Sequence, residues 1–206
     1  MRKPAICLLV SGALLVAVAA VSSAQAARKP AEKPKPAAPA APALHAEVHG
    51  AAPKPPAEIT KMKWMAGTWQ CTGRTMASAM GTEHPTEARV EVAMGLEGFW
   101  VVSRYREKRT PQNATPISGD EYWTYDAAAK TWQRLVMDTT GGWAVGTSPG
   151  WDRGKIVWTS EGAMGGQKMK LRATFTQNSD REIAYVGEVG SSDGKFSTLW
   201  NVNCKK

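Results

Sequence analysis

From Ala66 to the C-terminus, apolar residues recur at every second position in about ten short runs separated by turn-forming residues. A period of two is that of a β-strand with one face buried, and it constrains this chain more than any other feature. The runs fall at 67–78, 86–95, 98–108, 119–126, 131–138, 142–147, 155–160, 167–177, 182–189 and 195–203. Between them stand Met80-Gly81, Gly95 to Gly98, Asp126 to Lys130, Asp152-Arg153-Gly154, Gly162 to Gly166, Ser179-Asp180 and Ser191 to Gly194, all turn chemistry. Thr110 to Ser118, with Pro111 and Pro116, is the longest irregular loop. No segment of ten or more residues carries a convincing helical stripe, which argues against a parallel α/β architecture. A meander of ten strands removes its exposed edges by closing on itself. The expected fold is therefore all-β, an antiparallel up-and-down β-barrel of about ten strands.

The alternation also assigns faces. Val90, Val92 and Met94 are in phase, as are Phe99, Val101, Ser103 and Tyr105. Met169, Leu171, Ala173 and Phe175 oppose Lys168, Lys170 and Arg172, and Phe196, Thr198, Trp200, Val202 and Cys204 share a phase in the last run. The first run opens with Trp64-Met65-Ala66-Gly67-Thr68-Trp69-Gln70-Cys71. There glycine lets the backbone pass closely and an indole fills the barrel floor. Ile59, Met62 and Met65 recur at helical spacing, which predicts a short helical turn over 58–64 leading into the barrel.

Upstream the chain changes character. Arg2 and Lys3 precede an apolar run from Ala5 to Val21, and Ala24-Gln25-Ala26 offers small residues at a cleavage position. Residues 1–26 thus read as a secretory signal peptide, the alternative being an uncleaved anchor. Residues 27–57 are mostly Ala, Pro and Lys and cannot bury enough surface to offset ordering entropy; they read as a disordered linker. At about 3.1 Å per residue that linker could reach on the order of 90 Å. The domain is then 58–206, and the expected location periplasmic or secreted. Of the net charge of +8, the signal carries +2 and the linker +3, leaving +3 on the domain. So even a charge excess does not point to nucleic acid; weak contact of residues 27–57 with anionic envelope polymers is the partner that the basic tail suggests. His45 and His49, four apart in this tail, read as part of a flexible segment rather than a metal site.

Cys7 would leave with the signal, and Cys71 and Cys204 remain in an oxidising compartment, where two leftover thiols usually pair. They lie near the start of the first run and the end of the last, which are antiparallel neighbours in an up-and-down barrel. A disulfide there would contribute roughly 4–5 kcal/mol in the chain-entropy picture. Two buried free thiols are the alternative.

Met65-Ala66-Gly67-Thr68-Trp69, Gly119-Asp120-Glu121-Tyr122-Trp123-Thr124-Tyr125-Asp126 and the repeated Gly-Trp turns resemble an uncharacterised bacterial family of exported domains. That family is similar to the calycins: lipocalins, fatty-acid-binding proteins and the haem-binding nitrobindins. The resemblance covers about 67–204 and implies an antiparallel barrel with an internal cavity. Nitrobindin-like barrels hold haem through a histidine near the C-terminal end. The run from Phe196 to Cys204 has none, and the domain's one histidine, His84, precedes a proline in a turn, so haem is disfavoured and no cofactor is expected. Met169 and Tyr185 are weak substitutes as iron ligands.

A nucleophilic triad needs a positioned base, and metal hydrolysis needs clustered ligands; neither pattern is present. Asp120, Glu121, Asp126 and Asp138 lie on adjacent runs, but the simpler reading has Asp126 and Asp138 closing turns and Glu121 facing solvent. What stands out is nine tryptophans, all at position 64 or beyond. Most would pack the core. The residues expected to line a ligand site are Phe99, Trp100, Tyr105, Tyr122, Trp123, Phe175, Tyr185 and Trp200. The leading function is binding of a small, mainly apolar molecule without chemistry. A filled envelope-interaction domain is the alternative, and a carboxylate enzyme a third.

Overall fold

A computed structural model describes residues 53–78 and 81–206. The signal peptide, His45, His49, most of the linker and Met80 lie outside the described residues. The domain opens with a short helix, α1 (Ala57–Thr60), which tightens into a 3-10 turn over Lys61–Met65. Eleven strands follow: β1 (Gly67–Thr75), β2 (His84–Gly95), β3 (Trp100–Glu107), β4 (Ser118–Asp126), β5 (Thr131–Asp138), β6 (Trp143–Ser148), β7 (Trp151–Asp152), β8 (Lys155–Met164), β9 (Gln167–Ser179), β10 (Glu182–Gly190) and β11 (Phe196–Lys205).

Strand neighbours run β6-β5-β4-β3-β2-β1-β11-β10-β9-β8, all antiparallel, and β6 pairs with β8 to close the ring. The molecule is an all-β closed barrel of ten strands. The two-residue β7 lies outside that count, folding back on β8 through Trp151 opposite Ile156. Where the alternation predicts a turn from Gly162 to Gly166, β8 continues to Met164, and Gly165-Gly166 alone makes the turn into β9.

The predicted helical turn forms, and its three apolar residues carry it into the barrel end. Ile59, Met62 and Met65 are buried in the same core cluster as Trp69, Cys71, Val92, Val101, Trp123, Trp132, Ile156 and Trp158. Trp69 is buried beneath them and donates its indole N–H to the Met65 carbonyl at 2.8 Å. Trp64 meets the Trp69 ring edge-on at 6.3 Å and Trp151 at 5.8 Å, and the Trp151 indole N–H reaches the Met62 sulfur at 3.1 Å. Gly67 holds φ at +130°, a conformation other residues rarely adopt, and this turns the chain from the plug into β1. Cys71 and Cys204 are direct cross-strand partners on β1 and β11 and form a disulfide, Cα atoms 4.0 Å apart. The first and last strands are thus joined by both a hydrogen-bond ladder and a covalent link. No helix among the described residues is long and apolar enough to cross a membrane.

The last strand departs from its expected single phase. A bulge opposite Gly187 and Glu188 inserts Leu199 between Thr198 and Trp200. A one-residue insertion exchanges the faces, since side chains alternate strictly. Trp200, Val202 and Cys204 keep to the inside, whereas Phe196 lies outside, with the Arg172 guanidinium 4.3 Å over its ring and Glu188 bonded to Arg172 by two contacts of 2.6 Å.

Candidate functional site

Alternation along β4 brings Gly119, Glu121, Trp123 and Tyr125 to the inner wall. On β5, Trp132, Arg134 and Val136 do the same, with Trp123 directly opposite Arg134. Glu121 therefore faces the interior, not solvent, because it stands two residues from the fully buried Trp123. Its carboxylate accepts from Arg134 Nε and from Trp123 Nε1. The side chains of Arg134 and Glu121 are only 6% and 17% exposed, so this is an ion pair inside the barrel.

Aromatic rings surround the pair. Arg134 lies 5.8 Å from the Trp158 ring centre and 5.7 Å from that of Phe175. Trp123 packs on Trp158 at 4.9 Å and on Phe175 at 5.0 Å, and Phe175 packs on Tyr185 at 4.8 Å. Gly187 shapes the wall beside them. A Cβ there would come within 2.5 Å of the Trp200 ring and 2.7 Å of the Tyr185 hydroxyl, so only glycine leaves both side chains room.

Charge is held in place by these contacts. Burial opposes ionisation of Arg134, but the Glu121 carboxylate and the Tyr185 hydroxyl outweigh it and push the guanidinium above its ordinary value. Burial raises Tyr185 as well; the nearby Arg134 charge and hydrogen bond oppose that shift, while Glu121 adds to it. Tyr105 is driven far above the usual phenol range, first by burial and then by the Glu107 carboxylate, to which it donates at 3.1 Å. Glu107 also accepts from the Ile117 N–H at 2.8 Å, fastening the long loop to the inner wall. At neutral pH both of these buried phenols are thus neutral.

Not every inward ring is sealed. Trp123 and Trp158 are fully buried, whereas Tyr105, Phe175, Tyr185 and Trp200 remain half-buried although they stand on inner faces. Part of the surface of these four rings, on β3, β9, β10 and β11, is therefore left uncovered by the protein. Five of the eight expected lining residues converge here: Tyr105, Trp123, Phe175, Tyr185 and Trp200. Trp100 and Tyr122 do not join them, because each neighbours an inward residue (Val101, Trp123) and so projects outward, where the two rings meet edge-on at 6.5 Å. Tyr122 there belongs to an exterior rung that runs Ala93, Val102, Tyr122, Leu135, Val145 across five strands. Phe99 precedes β3 at the plugged end, where its carbonyl accepts from the Thr124 hydroxyl at 2.9 Å.

The other acids have turn or surface roles. Asp126 accepts from the Ala128 and Ala129 N–H groups, Asp138 from Thr140 and Gly142, and Asp120 meets Arg106 at 2.9 Å. Sequence reasoning did not single out Arg134 or Ser160, nor Trp158 from among the packed tryptophans. The signal was present in β5 and β8, where Arg134 is in phase with Trp132, and Trp158 and Ser160 with Ile156.

A family described as "Protein of unknown function (DUF1579)" matches residues 54–206. The chain belongs to that family. Its matched span begins just before α1 and takes in every strand of this DUF1579 barrel. No curated protein matches the chain in sequence. Among solved structures, Rv2717c from M. tuberculosis is similar over 74% of this chain and 99% of its own, with a TM-score of 0.57 and 11% identity. At that identity the likeness concerns the fold alone. A redesigned β-barrel is 14% identical over 72% of this chain and 94% of its own, with a TM-score of 0.38.

Proposed function

We propose that this DUF1579 domain is an exported, calycin-like carrier that takes one small, mainly apolar molecule into its barrel and leaves it chemically unchanged. One observation carries the reading: half-buried Phe175, Tyr185, Trp200 and Tyr105 on inner faces, around a charge pair that is itself buried. Apolar walls with a few convergent polar groups are the usual composition of small-molecule sites. Affinity would come from ligand surface removed from water against the rings, and orientation from Arg134 and Tyr185. Export is supported by the charged, then apolar, then small-residue order of residues 1–26 and by the Cys71–Cys204 disulfide, a bond rare in reducing compartments.

The test is a titration with a hydrophobic fluorescent naphthalenesulfonate, read as quenching of tryptophan emission, beside native mass spectrometry of the freshly purified protein. Saturable quenching near one probe per chain is expected. Absence of saturable quenching together with absence of any co-purifying small molecule would overturn the proposal.

A further inference from the structure

Building on that reading, we propose that the barrel's ligand is uncharged and carries a carbonyl-type oxygen, received by the indole N–H of Trp158, with the Ser160 hydroxyl two positions on along the same strand face. Trp158 and Ser160 are two residues apart on the inner face of β8, at 0% and 2% exposure. Trp158 Nε1 and Ser160 Oγ are both buried with no hydrogen-bond partner. Buried polar atoms are nearly always paired, and an orphan donor raises the free energy of the state that contains it. An indole nitrogen can only donate, so its partner must be an acceptor. Among the described residues, no acceptor lies within hydrogen-bonding distance of that nitrogen.

The charge balance of the same cluster narrows the ligand class. Arg134, whose guanidinium lies 5.8 Å from the Trp158 ring centre, is neutralised by Glu121, and Glu107 adds a further carboxylate beside Tyr105. An ionised acid entering the barrel would bring a negative charge to a site whose positive charge is already matched, at a large desolvation cost. A plain hydrocarbon would leave both donors orphaned. A ketone, ester or tertiary amide satisfies the inventory, since its oxygen accepts without bringing charge or a donor of its own. The rings of Trp123, Phe175, Tyr185 and Trp200 suit an aromatic or apolar body attached to that oxygen.

Three probes of one shape separate these cases: 2-acetylnaphthalene, 2-ethylnaphthalene and 2-naphthoate, titrated by calorimetry at pH 7. The ketone is expected to bind roughly tenfold tighter than the hydrocarbon, the worth of one hydrogen bond to a buried donor, and tighter still than the acid. In Trp158→Phe, which keeps a ring and removes the N–H, the ketone-to-hydrocarbon ratio should fall toward one. Ser160→Ala should lower the same ratio, and stands in if the tryptophan variant does not fold. A ratio near one in the unaltered protein, naphthoate as the tightest ligand, or a ratio untouched by both substitutions overturns this inference while leaving the carrier reading in place. If none of the three probes binds, the carrier reading falls with it.

Discussion

A carboxylate and a guanidinium inside a narrow barrel depend on each other more than either contributes to stability. Taking two charges out of water costs several kcal/mol per ion, and their attraction only offsets that cost when the geometry is close. Glu121 and Arg134 meet that condition, with Trp123 and Tyr185 using up further hydrogen-bonding capacity. Removing one partner should therefore be far worse than removing both. Glu121→Leu is expected to destabilise the domain by about 3–5 kcal/mol by urea unfolding, whereas Glu121→Leu with Arg134→Met should recover most of that loss. Equal damage from the single and double variants would mean that the pair, not the stranded charge, carries the stability. The placement of Glu121 was partly legible, for its phase with Trp123 is visible in the sequence. Its acidity suggested solvent, and nothing in the chain announced that Arg134, thirteen residues on, would stand beside it.

The element that completes the barrel is a short helix rather than a strand. Each strand buries its inner face against its neighbours, but the end of a barrel leaves apolar side chains facing water. α1 and its 3-10 continuation cover that end with Ile59, Met62 and Met65, at 0%, 2% and 6% exposure. So short a helix has little stability of its own, and its order comes from packing. Ile59→Ala should thus lower unfolding stability by about 3 kcal/mol through the cavity left over Trp69. A loss below 1 kcal/mol would show that the segment lies on the barrel without sealing it. Strand existence was legible in β1 to β4 and β9, and phase in β2, β3 and β9, where alternation is strong. The bulge in β11 was not, because an extra residue is recognisable only against the partner strand it fails to match.

At the scale of the whole molecule, closure is the defining event, and it joins residues far apart in sequence. The β1–β11 ladder brings together the first and the last strand of the barrel. The disulfide spans 133 positions, and a covalent loop of that length removes much of the unfolded chain's freedom. Replacing Cys71 and Cys204 with alanine is expected to lower the unfolding free energy by about 5 kcal/mol, judged by urea melts with and without reductant. An unchanged midpoint would indicate that the two strands stay together in the denatured ensemble.

Alternation, turn residues and the paired cysteines determined an antiparallel barrel from the sequence alone, because each depends on neighbours a few residues away or on the ends of the chain. The same alternation separated the faces of four runs and so placed Tyr105, Phe175 and Trp200 inside, whereas Trp123 and Tyr185 were expected to line a site on account of their rings. Only the tertiary structure decided which inward residues meet. That Arg134 lies between Trp158 and Phe175, that Trp100 and Tyr122 back onto the outer wall, and that Trp158 and Ser160 remain without partners follow from register and closure. Those set distances between strands, and a linear pattern with a period of two carries no information about them.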